Sequence, residues 1–309
     1  NRSGLQAGIN TSLSKKDQLL EFTASHPYKH PINDKLTASI GYQHKKDDDF
    51  SDSFETDSVY ANIARNVRRE TGWNRTYSLR YRMDKLNLND GVYDIEELPP
   101  PFNNTASDAN QQALLFGYGI SRVITNNSLN PTKGYSQRYS IEGAVKDVLS
   151  DTSFVIARAG LAGIYTFGAN FKHQVLARAD LGYIYSDDFY QVPYRLRFFA
   201  GGDQSIRGYS NDSLGPRYKN DKFLIGGDAL AVGSFEYNYQ FRDGLRAAVF
   251  TDFGNAYDIK GDENNSTKVS VGTGIRWASP IGPVRLDVAH GLTSDNDGFK
   301  VHFFIGSPL

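Results

Sequence analysis

Two carboxylates, Glu236 and Asp252, are where residue types and spacing first suggest a site. They occupy the polar phase of two consecutive alternating segments, 229–241 and 245–254, joined by a short turn at 242–244. On strands this makes them near-diagonal neighbours on one face. Two carboxylates that close repel unless a cation sits between them. Arginine suits that position, because its planar fork bonds both. Catalysis would need more, and no Ser/His/Asp grouping, phosphate-cradling glycine loop or paired catalytic carboxylate emerges. The chain therefore reads as a non-enzyme, with no cofactor. His26 and His30 have the four-residue spacing that binds zinc on a helix, but Pro27 and Pro31 put them in a turn, so no metal is expected. Asp47, Asp48 and Asp49 read as a solvated acidic run, with cation bridging to lipopolysaccharide as the alternative.

The elements that must position such groups are strands of period two. Phe235, Tyr237, Tyr239 and Phe241 alternate with Ser234, Glu236, Asn238 and Gln240. Leu245, Ala247, Val249 and Phe253 alternate with Arg246 and Asp252, and Val269, Val271, Ile275 and Trp277 with Ser270 and Arg276. Val175, Leu181, Tyr183 and Tyr185 do the same against Lys172, Gln174, Arg178 and Asp180. Fourteen such segments run over 5–14, 17–25, 35–45, 56–67, 73–87, 112–125, 134–145, 153–167, 171–185, 229–241, 245–254, 268–278, 284–291 and 300–306. Most exceed the usual strand of about 5–6 residues and match a tilted membrane strand.

Their connections alternate between compact turns (29–33, 68–72, 126–133, 168–170, 242–244, 279–283) and long Asp-, Asn- and Ser-rich loops (46–55, 88–111, 186–228, 255–267). Short periplasmic turns and long external loops mark an outer-membrane barrel. Composition agrees: 19 Tyr, 19 Phe, 29 Gly and one Met, with a mean hydropathy of −0.50 that alternating strands produce. A soluble sandwich fits composition alone, but not strand length and loop alternation together. A net charge of −1 offers nucleic acid no basic field, and the lack of Cys removes thiolate chemistry and disulfides. The fold class is thus all-β, a transmembrane antiparallel barrel read as one domain over 1–309.

The connection 186–228 is too long and too apolar for an ordinary loop. Its centre, FFAGGDQSIRGY at 198–209, interleaves Phe198, Phe199, Ile206 and Tyr209 with Gly201, Gly202 and Gly208. Such a segment packs rather than hydrates, and inside a barrel it folds into the lumen.

This stretch resembles the (R/I/V)RG(F/Y) loop of the outer-membrane assembly and two-partner-secretion superfamily, whose members include BamA, TamA and FhaC. GSFEYNY at 233–239 is similar to that family's acidic strand, VFTDFGNAY at 249–257 to its FxDxG strand, and GTGIRWASPIGPVRLD at 272–287 to its penultimate hairpin. RFFAGGDQSIRGY, with YSIEG upstream, is most similar to the TamA branch. The resemblance implies a barrel of about sixteen strands, so the fourteen found here imply an N-terminally truncated barrel lacking its periplasmic repeat domains.

The resemblance also assigns roles. Segment 186–228 becomes a lumenal latch, with Arg207, Gly208, Tyr209, Asp203, Gly201 and Gly202 at its tip. Arg207 is to pair with Glu236 and Asp252 on the wall; the alternative is that all three are merely solvated lumen charges. Phe250, on the polar phase of its strand, is a packing partner for the loop, or else an irregularity turns it outward. Asp203 either pins the loop's own backbone or is a simple turn aspartate. The last strand, with Val301, Phe303, Ile305 and Gly306, forms one side of a seam that opens sideways, and Gly306 and Pro308 interrupt its pairing with the first strand. Implied partners are outer-membrane lipid, client outer-membrane proteins such as autotransporters, and a TamB-like periplasm-spanning protein. The alternatives are export of one dedicated substrate, a diffusion porin, or a barrel attached to a lipase domain.

Overall fold

The computed structural model describes residues 4–14, 17–47, 54–88, 108–128, 130–218, 223–259, 266–279, 282–293 and 298–306. The strands are β1 Gln6–Leu13, β2 Asp17–His30, β3 Asp34–Asp47, β4 Phe54–Arg68, β5 Asn74–Leu88, β6 Asp108–Thr125, β7 Lys133–Ala144 and β8 Phe154–Phe167. There follow β9 His173–Ser186, β10 Arg217–Tyr218, β11 Phe223–Leu224, β12 Ala229–Arg242, β13 Leu245–Tyr257, β14 Lys268–Ser279, β15 Gly282–Gly291 and β16 Phe299–Ile305. Fourteen of them form one sheet in chain order, every neighbour antiparallel, while β10 and β11 make a separate hairpin within the loop between β9 and β12. In that order β1 and β16 are the two edges.

The alternation decides which face looks where. Phe22, Phe116, Tyr165, Phe235, Trp277 and Phe303 all lie exposed on the outer face. Between them in phase, Asp84, Gln174, Glu236, Asn238, Asp252 and Arg276 are buried on the inner face. This is the reverse of a soluble protein and is what a lipid-facing wall requires. Inner groups pair across strands: Glu142 of β7 takes Arg80 of β5 and Arg158 of β8, each at 2.8 Å. At one short turn, Asp243 and Gly244 close the β12–β13 hairpin, with Gly244 at φ 73° and a register shift between Gln240 and Arg242. That left-handed value costs glycine nothing.

Two expectations change here. β2 runs through Pro27 to His30 instead of turning, because its ladder to β3 slips between Pro27 and His30 and so tolerates the missing N–H. His26 therefore lies in the strand, while His30 Nδ1 accepts from the N–H groups of Ile32 (3.2 Å) and Asn33 (3.1 Å) and closes the turn. Gly306 lies just past β16, at φ 146°, yet its N–H still bonds Pro283 O at 2.9 Å. Asp48, Asp49 and residues 307–309 lie outside the described residues.

Candidate functional site in the lumen

The segment between β9 and β12 is built in two storeys. Its base contains the short 3-10 turns Phe189–Gln191 and Tyr194–Leu196. There Val192, Leu196 and Phe198 pack against Ala113, Leu115, Phe154, Ile156 and Ile184 of the inner wall. Arg197 holds this base from within, donating to Tyr190 O (2.8 Å), Ile225 O (2.9 Å) and Val192 O (3.1 Å). Burial pushes its guanidinium down to about 10, still protonated at neutral pH. Gln111 of β6 and Asp84 of β5 receive the backbone N–H groups of Tyr194 (3.0 Å) and Arg195 (3.2 Å). The strand alternation carries no trace of this packing, so the sequence did not reveal it.

The tip folds back through antiparallel bridges between Phe198 and Gly227 and between Ala200 and Leu214. Gly201 and Gly202 turn it, at φ 100° and 98°. The N–H of Gly202 reaches Ile206 O and Tyr209 O, so the motif closes on itself. Asp203 is exposed and accepts from Gln204 at 3.4 Å. It is a turn aspartate; the backbone pin is Ser205, whose Oγ accepts from Gly201 N at 3.1 Å.

Arg207 enters the wall at 5 % exposure. Its Nε and Nη2 donate to the two oxygens of Asp252 at 2.9 and 2.8 Å, and its backbone N–H bonds the same carboxylate at 3.0 Å. Nη1 donates to Glu236 (3.1 Å) and Asp287 (3.0 Å), and Nη2 also to Ser234 (3.1 Å). All five guanidinium N–H groups are thus matched. The Phe250 ring lies beneath, its centroid 3.3 Å from Arg207 Cζ. Phe250 thus faces inward, against the guanidinium plane. Register explains the cluster: Glu236 stands opposite Phe250, and Ser234 opposite Asp252.

Arg276 of β14 completes the network, donating to Glu236 at 2.8 and 2.7 Å and to Asp287. Two guanidinium groups and three carboxylates therefore share one buried cluster, a geometry stabilising only while every member is paired. Arg276 lies on the polar phase of its segment, whereas nothing in the sequence links Asp287 to the loop, because only the fold brings β15 there.

Gly208 and Tyr209 finish the docking. A Cβ at Gly208 would come within 2.5 Å of Gly291 N and Ser270 Cβ, so only glycine lets the loop lie on the wall there. Tyr209 is buried, its hydroxyl 2.7 Å from Thr293 Oγ1 and 3.3 Å from Val269 O. The edge strand reaches in as well. Lys300 Nζ donates to Ser210 Oγ at 3.0 Å, and His302 Nε2–H donates to Arg207 O at 2.7 Å. Val301, Phe303 and Ile305 point outward and are exposed.

A family model described as the Omp85 superfamily domain matches residues 2–308. The chain is 28% identical over 255 residues to the outer membrane protein assembly factor BamA of Nitratidesulfovibrio vulgaris, covering 81% of this chain and 31% of that protein. It is 27% identical to BamA of Neorickettsia risticii, covering 76% and 33%. The chain thus spans about a third of the length of these curated relatives. Among solved structures, BamA from Haemophilus ducreyi lacking POTRA domains 1–3 superposes with TM-score 0.81 at 21% identity, over 99% of this chain and 64% of that one. CdiB from Escherichia coli superposes with TM-score 0.62 at 12% identity, over 97% and 55%.

Proposed function

The chain belongs to the Omp85 superfamily and is an integral outer-membrane β-barrel, and from that premise we propose that it is the barrel of an assembly and translocation factor for other outer-membrane proteins. In this reading β1 and β16 flank a seam at which client strands pair. An open strand edge in lipid leaves backbone groups unsatisfied at several kcal/mol each, a cost that incoming strands remove by adding to the sheet. The segment 186–228 acts as the latch that keeps the barrel in its resting form. The observation that carries the reading is the pair of hydrogen bonds from the edge strand to the latch tip, Lys300 to Ser210 and His302 to Arg207. The same tip that fills the lumen thereby senses the state of β16.

Within this function we assign a TamA-like role, with autotransporters as clients and a TamB-like protein as periplasmic partner. The wording of the 197–209 motif supports that assignment. The test uses the intact protein in proteoliposomes with an unfolded autotransporter barrel as client. These 309 residues hold no Cys, so no native thiol of this barrel competes with a cysteine pair placed across β1 and β16. Oxidation should abolish client insertion and reduction should restore it. Full insertion by a verified, oxidised crosslink would defeat the seam mechanism.

A further inference from the structure

The outer wall carries a second feature, independent of the lumen. A groove of about 590 Å³ crosses β3 to β8 on the lipid-facing side. Leu36, Ile63, Leu79, Phe116, Ile141 and Val155 form its walls. Gly143 stands in the ladder between Phe116 and Val155, on the outward phase. A Cβ there would meet nothing nearer than 3.7 Å, so the missing side chain is what opens the groove.

One end of the groove meets the short-turn rim, which in an outer-membrane barrel is the periplasmic rim. Arg65 lines it, held by Asp34 at 2.7 Å, with its Cζ 4.9 Å from the Tyr28 ring centre. Beyond Tyr77 and Tyr118, whose rings lie 5.2 Å apart, come Arg75 and Arg122 on the outward phase. Arg122 lies near Trp73 at 5.7 Å, and its Nε has no hydrogen-bond partner among the described residues. Lys29 adds charge in the same rim, its Nζ 5.9 Å from the Tyr28 ring centre, while Asp34 is the carboxylate paired there. An apolar slot ending in aromatic rings and uncompensated guanidinium groups fits a molecule with an acyl chain at one end and a phosphate at the other.

We propose that this groove and rim bind one anionic phospholipid of the periplasmic leaflet, its chain along the slot and its phosphate at Arg65, Arg75 and Arg122. A peptide would leave its backbone amides unpaired in a slot that faces hydrocarbon. Lipopolysaccharide would meet the opposite rim.

The experiment measures lipid retained by the full chain in nanodiscs, using phosphatidylglycerol and phosphatidylcholine with identical chains. Wild type should retain phosphatidylglycerol about fivefold better, the ratio expected when one basic side chain's attraction to an anionic surface decides. The double variant R75Q/R122Q should lose that selectivity. G143L, which fills the slot and leaves every charge in place, should cut retention of phosphatidylglycerol by a similar factor. Heat-modifiable mobility on gels confirms that each variant remains folded. Equal retention of the two lipids by wild type, or unchanged retention by both variants, overturns the site. Displacement of the lipid by millimolar inorganic phosphate would show a bare anion site and overturn it equally.

Discussion

His302 Nε2–H donates to the carbonyl oxygen of Arg207 at 2.7 Å, while the side chain of the same arginine grips carboxylates on β12, β13 and β15. One loop residue therefore ties the edge strand to the strands behind it. Breaking either half should have a distinct signature.

His302→Ala removes the edge-strand half alone. A hydrogen bond of this kind contributes about 1 kcal/mol, so the barrel should stay folded while amide exchange in β16 rises about fivefold. His302→Gln keeps a donor and should restore much of the protection. Unchanged exchange in the alanine variant would mean the bond does not restrain the strand.

Arg207→Ala removes the other half and leaves Asp252 buried without its cation, while Glu236 and Asp287 keep Arg276. Deleting one partner of a buried ion pair costs about 3–5 kcal/mol, enough to free the tip while the base, held by Arg197 and the Leu196–Phe198 packing, stays docked. Limited proteolysis should then cut within 203–213 and nowhere in the base. Arg207→Lys should protect only in part, since it keeps charge and loses the fork.

Asp252 and Glu236 should not be equivalent. Asp252 accepts three bonds from Arg207 and one from Ser234 (2.6 Å), whereas Glu236 is shared with Arg276. A double-mutant cycle on protease protection should give Arg207–Asp252 a coupling about 1–2 kcal/mol larger than Arg207–Glu236. Equal couplings would mean the network redistributes freely.

Gly208→Ala tests close approach without touching charge. Its Cβ would press on Gly291 N and Ser270 Cβ, and overpacking of this sort costs about 1–3 kcal/mol. The tip should become cleavable and Tyr209 fluorescence should rise in solvent exposure, measured by iodide quenching. Full protection would show that the wall yields there.

Much of this was legible because membrane strands write both faces into the sequence. Segment 268–278 was found as Lys268–Ser279 and segment 153–167 as Phe154–Phe167, since period two is enforced by lipid on one side and water on the other. Phe250 betrayed itself by standing in the wrong phase. The loop base did not: Arg197 bonds only main-chain carbonyls, which leave no pattern in side-chain order. Pro27 misled for a related reason, because a register slip is a property of two strands and one sequence position cannot announce it.

The hydrophobic base of the loop has an osmotic meaning. Val192, Leu196 and Phe198 lie against Leu115, Ile156 and Ile184, where a porin would leave an aqueous channel. This part of the lumen is filled by side chains rather than lined by water, so the barrel is expected to conduct ions poorly. Excising the loop should turn the same wall into a hole.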